Sequence, residues 1–204
     1  MTKQEDIINF WFQGTEEDKG LSPEHDYARR WFAQDEAVAA VLRQRFKDDI
    51  DKAAQGGYDR WKDSVLGRLA LVILLDEFPR RIYQGKIEAF SYDLKALEYG
   101  LKAIKLKMDE ELPLYQRMFF YFPLMHSENR ELQEMSLMYL RRMSKEAADE
   151  EDKSAAFYQK VLDYAQKHYD IIKKFGRFPH RNGVFGRRPT SEERAFASGP
   201  EAVF

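Results

Sequence analysis

Apolar residues recur every three or four positions along almost the whole chain, while strict alternation over a strand-length window is hard to find. That period lays a stripe along a helix, so the pattern predicts an all-α fold. A first helix is expected over roughly residues 3–12, burying Ile7, Ile8, Trp11 and Phe12. Gly14 suits its end because glycine tolerates a positive φ. A short second helix is expected with Ser22 as N-cap and Pro23 at its first position, where the missing N–H costs nothing. Asp35 then caps a long amphipathic helix with the stripe Val38, Val41, Leu42, Phe46 and Ile50, closed by Gly56 and Gly57.

From Ser64 the segment SVLGRLALVILLDEF is apolar on most sides, as a central helix would be. Pro79 lacks a backbone donor and crowds the carbonyl of Leu75, which predicts a kink or a stop. Residues 91–108 read as another amphipathic helix, opened by Ser91, with Asp93 in the first turn where a negative charge suits the helix dipole. Pro113 starts a further helix that Pro123 is expected to bend or break before SENRELQEMSLMYLRRMSKEA resumes. ADEEDK (148–153) reads as an exposed connection, and 154–175 as a last long helix ending at Gly176, followed by a non-helical tail. Thr190 and Glu193 have the spacing of a capping box. The pairs Trp11-Phe12 and Trp31-Phe32 are expected in the core. Neither a low-complexity linker nor a clean repeat divides the chain, so residues 1–204 are expected to form a single domain.

Composition narrows the functional classes. Lys and Arg total 33 against 35 acids, a formal charge of -2, so charge gives no reason to expect nucleic acid or an anionic membrane as partner. Cysteine is absent, which excludes disulfides, thiolate catalysis and Cys-ligated zinc and fits a reducing, cytoplasmic setting. MTKQEDIINFWF is acidic and amphipathic, unlike a signal peptide. The longest aliphatic run, LALVILL (69–75), falls far short of the roughly 20 residues a bilayer-spanning helix needs.

Candidate chemistry sits in three segments that share a Phe-Pro pair: LDEFPRR (75–81), FYFPLMHSE (120–128) and KKFGRFPHRN (173–182). Their common grammar predicts that they meet in space. From Lys173 to Arg194 there are seven Lys or Arg against two Glu, a local excess of five positive charges that suits an anionic ligand. On this reading the pocket binds a small anion or a peptide carboxylate. Arg80, Arg177 and Arg181 hold the anion, since a guanidinium fork matches carboxylate or phosphate oxygens. His180, Ser127 and Asn182 add hydrogen bonds, and Phe78, Tyr121 and Phe178 supply walls.

Two other readings use the same residues. In one the pocket is hydrolytic, with His126 or His180 as acid–base and Asp76 or Glu128 as the orienting carboxylate. In the other the cations cap helix ends and neutralise Asp76 and Glu128 in a buried polar lock, and the protein acts as an adaptor through its outer surface. His126 and Glu128 form an H-x-E without the cysteines a zinc deaminase needs, and no H-E-x-x-H occurs, so neither metal nor cofactor is expected. Oligomeric state leaves no mark on the pattern.

The runs LLDEFPRRIY, FFYFPLMHSE, FGRFPHRN and GRRPTSEE resemble, in order, the signatures of the bacterial domain of unknown function 924 family. The resemblance implies an all-α fold similar to tetratricopeptide (TPR) helical hairpins, as a bundle or superhelix, and no particular reaction. The family pattern more often has Gln and Asn at the positions of Glu77 and Arg81. The exchange puts two charges there, which either alter a site or form a solvent-facing pair four residues apart.

Overall fold

Thr2 opens α1 (Lys3–Phe12) with a capping box: its hydroxyl accepts from the Glu5 amide, and the Glu5 carboxylate accepts the Thr2 N–H at 2.8 Å. The computed structural model describes residues 2–15, 20–22 and 24–199, and among these there is no strand. Ile7 and Trp11 of α1 are fully buried, and the Trp31 indole donates to the Trp11 carbonyl at 2.9 Å. This ties α1 to α2 (Asp26–Phe32). The second helix starts later than the sequence predicts. Ser22 forms a turn with the Glu24 amide instead of capping, the cap position is His25, and Pro23 lies outside the described residues. Phe32 is 42% exposed, contrary to the expected core position.

Asp35 caps α3 (Glu36–Ala54), accepting from the amides of Ala37 and Val38. The buried face of α3 is Ala39, Leu42, Phe46, Ile50 and Ala53, while Val41 is exposed and Val38 half-buried. Val41 precedes Leu42 by one residue, about 100° around a helix of 3.6 residues per turn, so it cannot share that line.

The central helix does not stop at Pro79. α4 (Val65–Val72) passes into a π-helical stretch, Ile73–Glu77, and then into α5 (Phe78–Ile82). The Phe78 amide reaches back five residues to the Ile73 carbonyl, and the wider turn places Pro79 at the start of α5, where no hydrogen bond is lost to its missing N–H. Every residue from Leu69 to Leu75 is fully buried, with α1 and α6 (Asp93–Lys105) packed on α4 and α3 on α5. Ser91 does not cap α6: its hydroxyl donates to the Ile87 carbonyl, closing the 3₁₀ turn Ile87–Phe90, and Tyr92 holds the cap position.

α7 (Leu114–Met125) continues through Pro123 and ends two residues beyond it, and Asn129 caps α8 (Arg130–Asp149) by accepting from the Leu132 amide. α6 approaches α7 closely at Gly100, where a Cβ would meet the Phe120 carbonyl oxygen at 2.8 Å. Each of α6 to α9 packs on the next, most extensively α8 on α9 (Ala155–Phe175), an order consistent with stacked hairpins. Gly176 ends α9 at φ 68°. The following tail is not wholly irregular: Pro179–Arg181 form a 3₁₀ turn, and Thr190 and Glu193 cap α10 (Ser191–Ala197) with the expected box. Among the described residues no helix is long and apolar enough to cross a membrane.

Candidate functional site

The π-helical stretch with α5, the end of α7 and the turn after α9 converge on a cavity of about 530 Å³. Arg80, His126 and His180, one from each Phe-Pro segment, all line it. Glu77, Arg81, His168 and Arg181 add to its polar wall, and Asp35 and Glu36 line it from the start of α3. The aromatic wall is Trp31, Phe32, Phe90 and Phe122. The expected walls fall elsewhere: Phe78 is fully buried against Trp11 and Phe46, and the Tyr121 hydroxyl donates to Asp109. Phe178 is buried behind the cavity, its ring near those of His168 and His180.

Beneath the cavity, Asp76 is fully buried and engaged from two sides. His126 Nδ1 lies 2.8 and 3.0 Å from its carboxylate oxygens, and an Arg80 Nη lies 3.3 Å away. Burial raises the Asp76 pKa, but Arg80 and His126 outweigh it and hold the carboxyl below its ordinary range. An ionised carboxylate only accepts, so the proton of that bond belongs to His126 Nδ1. Burial of His126 outweighs the pull of Asp76 and lowers its pKa, which keeps the ring neutral at pH 7. His168 is still more enclosed: its Nδ1 bonds the Tyr164 carbonyl at 2.9 Å, and burial, then the neighbouring His126, bring its pKa down to about 3.

Glu77 is 3% exposed, which overturns the solvent-facing alternative for Glu77 and Arg81. Burial and the adjacent Asp76 charge push the Glu77 carboxyl up, partly offset by Arg81 at 3.4 Å. Arg81 is otherwise occupied by the carbonyls of Arg30 and Trp31, so it fastens α5 to the end of α2. Atoms of Asp76, Glu77 and His126 lie within 4.8 Å of one another, a set that could ligate a cation. The bond from His126 Nδ1 to Asp76 and the two guanidinium groups alongside work against one.

Arg80 has little left to offer a ligand. It grips Asp93 with both Nη atoms at 2.8 and 3.0 Å and donates to the carbonyls of Asp76 and Ala89. Arg181 differs. Its side chain is 7% exposed, its guanidinium lies 4.6 and 4.4 Å from the ring centres of Phe90 and Phe178, and its nearest carboxylate, the Asp93 already held by Arg80, is 3.8 Å away. Its Nε is buried without a hydrogen-bond partner. Burial, followed by repulsion from Arg80, lowers its pKa to about 10, leaving it charged at neutral pH.

The remaining candidates stand outside the cavity. Glu128 accepts from the Phe178 amide at 2.8 Å and pairs with both Nη atoms of Arg187, fastening the tail to the end of α7. Arg177 pairs with Glu193 at 2.6 Å, whose pKa that hydrogen bond lowers to about 2, and so it holds α10 rather than facing a ligand. Asn182 is buried beside that pair, and the Ser127 hydroxyl accepts from the Asn129 amide. The cations of residues 173–194 are therefore largely spent on tail contacts, with Lys174 pairing with Glu192 and Arg194 with the Pro189 carbonyl.

Three contributors were missed from sequence. His168 continues the buried spacing Val161, Ala165, His168 and Ile172 of α9, so its inward direction was readable. Asp93 and Phe90 gave no signal, because their roles depend on Arg80 and Arg181 arriving from distant segments.

No curated protein sequence matches the chain. A solved structure of a protein of unknown function, ATU0120, from Agrobacterium tumefaciens is similar at 31% identity, with a TM-score of 0.78 over 96% of each chain. Residues 7–201, which include all three Phe-Pro segments, match the family described as "bacterial protein of unknown function (DUF924)". The chain belongs to that bacterial family.

Proposed function

We propose that the protein binds a small ligand carrying a carboxylate or phosphate in the cavity where the Phe-Pro segments meet, with Arg181 as the anion anchor. One observation carries this reading. Arg181 is a buried, charged guanidinium packed near two aromatic rings, with its Nε unpartnered and its nearest carboxylate shared. An oxyanion would complete the charge and the hydrogen bonding that the fold leaves unfinished. Phe90 and Phe122 would cover the apolar part of such a ligand, and His180 would stand beside it. A peptide C-terminus is one source of the same chemistry, and stacked helical hairpins offer a surface along which the rest of a peptide could lie.

The test is a thermal-shift screen with inorganic phosphate, 4-hydroxybenzoate and a C-terminal tripeptide on wild type and Arg181→Ala. A specific ligand at a hundred times its Kd stabilises the native state by about 2.7 kcal/mol, which is easily read. Arg181→Ala should abolish the shift while costing under about 2 kcal/mol in ligand-free buffer, the scale of desolvated cation–π contacts. A ligand-free loss of about 3–5 kcal/mol is the signature of a broken buried ion pair and would assign Arg181 to a structural lock instead.

A further inference from the structure

We propose that the cavity is also a hydrolytic centre, in which His126, held by Asp76, is the general base that activates water against a carboxylic ester bearing an anionic group. This rests on the binding reading above, since Arg181 would hold the anionic end of the substrate. The geometry that carries it is the Asp76–His126 pair. Nδ1 is committed to a fully buried carboxylate that does not itself line the cavity, whereas the imidazole does. The nitrogen left for the cavity is therefore Nε2, an acceptor in this tautomer. Among the described residues the cavity wall holds no serine, threonine or cysteine, and burial raises the pKa of its Tyr164 hydroxyl, so water is the nucleophile of this step.

The step needs only water, the ester and the His126 imidazole. Nε2 takes a proton from water as the water oxygen bonds to the ester carbonyl carbon, and the carbonyl π pair moves onto oxygen. The intermediate then collapses, the bond from carbon to the alcohol oxygen breaks, and that oxygen takes the proton back from Nε2. Asp76 stabilises the transient imidazolium and is a positioning residue. No oxidant, metal or cofactor enters.

The charges around His126 favour a base that is neutral before the step. Asp76 and, at longer range, Asp93 raise its proton affinity, Arg80 lowers it, and Glu77 and His168 face it from the π-helical stretch and α9. Burial sets the balance on the neutral side.

The substrate 4-acetoxybenzoate carries a carboxylate fixed away from its ester, and phenyl acetate is its neutral counterpart. Wild type should hydrolyse the first faster than the second. His126→Gln, which keeps a donor within reach of Asp76, should lose about 100-fold or more in kcat, the lower end of general-base contributions. Asp76→Asn is a second variant, whose amide can hold the opposite tautomer. It should lower kcat, leave KM within a few-fold, and change the acid limb of the pH–rate profile, which a purely structural role would not. Binding of the product 4-hydroxybenzoate, read by thermal shift, separates the two readings. If it binds but 4-acetoxybenzoate turns over no faster than in buffer, or His126→Gln keeps the wild-type rate, the catalytic inference falls alone. If neither product binds nor substrate reacts, both fall.

Discussion

Replacing Arg80 by methionine tests the electrostatic base of the cavity. Methionine keeps much of the side-chain length, so the change is chiefly one of charge. Arg80 satisfies Asp93 through two hydrogen bonds, two backbone carbonyls, and Asp76 at 3.3 Å. Without it, Asp93 keeps the more distant Arg181, while Asp76, whose side chain is 1% exposed, keeps neutral His126 and a hydrogen bond with Glu77 but no guanidinium. Breaking one partner of a buried ion pair costs about 3–5 kcal/mol because the other charge is stranded. Against a total stability of about 5–15 kcal/mol, that is a large fraction. Urea denaturation at pH 7 should show the loss as a lower midpoint with an unchanged slope, since neither end state changes its exposed area much. The pH dependence gives an independent sign. The folded pKa of Asp76 lies below its unfolded value, so its stabilisation is complete above roughly pH 3.9 and is lost as pH falls through the folded value. Arg80→Met raises that folded pKa, so the gap between variant and wild type should narrow in acid. A loss below about 1 kcal/mol at pH 7 matches an exposed pair and would refute the argument.

Further outcomes can be checked separately. The raised Glu77 pKa means that its contribution is present below roughly pH 4.3 and is lost as pH rises through the folded value, so Glu77→Gln should gain on wild type between roughly pH 5 and 9 in denaturant titrations. A constant difference across that range would show that Glu77 does not titrate as described. Gly100→Ala pushes a Cβ to 2.8 Å from the Phe120 carbonyl and should cost about 1–3 kcal/mol by overpacking α6 on α7, read as a lower Tm. An unchanged Tm would mean that the two helices separate freely. Glu128→Ala removes the acceptor of the Phe178 amide and the partner of Arg187, and amide exchange should quicken over residues 178–187 but not in α4. Uniform protection in the variant would show that the tail is held by other contacts.

The helices were legible because apolar spacing reports burial directly, as it does for Ile7 and Trp11 or for Leu42, Phe46 and Ile50. Boundaries failed where a local rule met a tertiary alternative. Ser91 spends its hydroxyl on Ile87, and Pro79 is absorbed by a wider turn instead of breaking the helix. The convergence of Arg80, His126 and His180 was readable from the repeated Phe-Pro grammar. Which arginine faces the cavity was not. Arg177, Arg181 and Arg187 lie within eleven residues of one another, and only packing decides that two clasp glutamates while one lies near two aromatic rings. Glu77 misled for a related reason: spacing alone fits a surface pair, and the depth of α5 in the fold is a property of its neighbours.

The π-helical stretch Ile73–Glu77 also bears on how the chain tolerates insertion and deletion. A π turn holds one residue more than the α turn it replaces, so deleting a single residue there would restore regular α-helical bonding and a locally better helix. Because the wide turn takes up its extra residue within nearly the same angle, α5 would keep its direction against α4, and Arg80 and Arg81 would stay on their partners. A deletion within α4 has no such slack and would turn α5 by roughly 100°, the angle one residue subtends at 3.6 residues per turn. The chain should therefore accept a length change of one inside Ile73–Glu77 more readily than one in Val65–Val72.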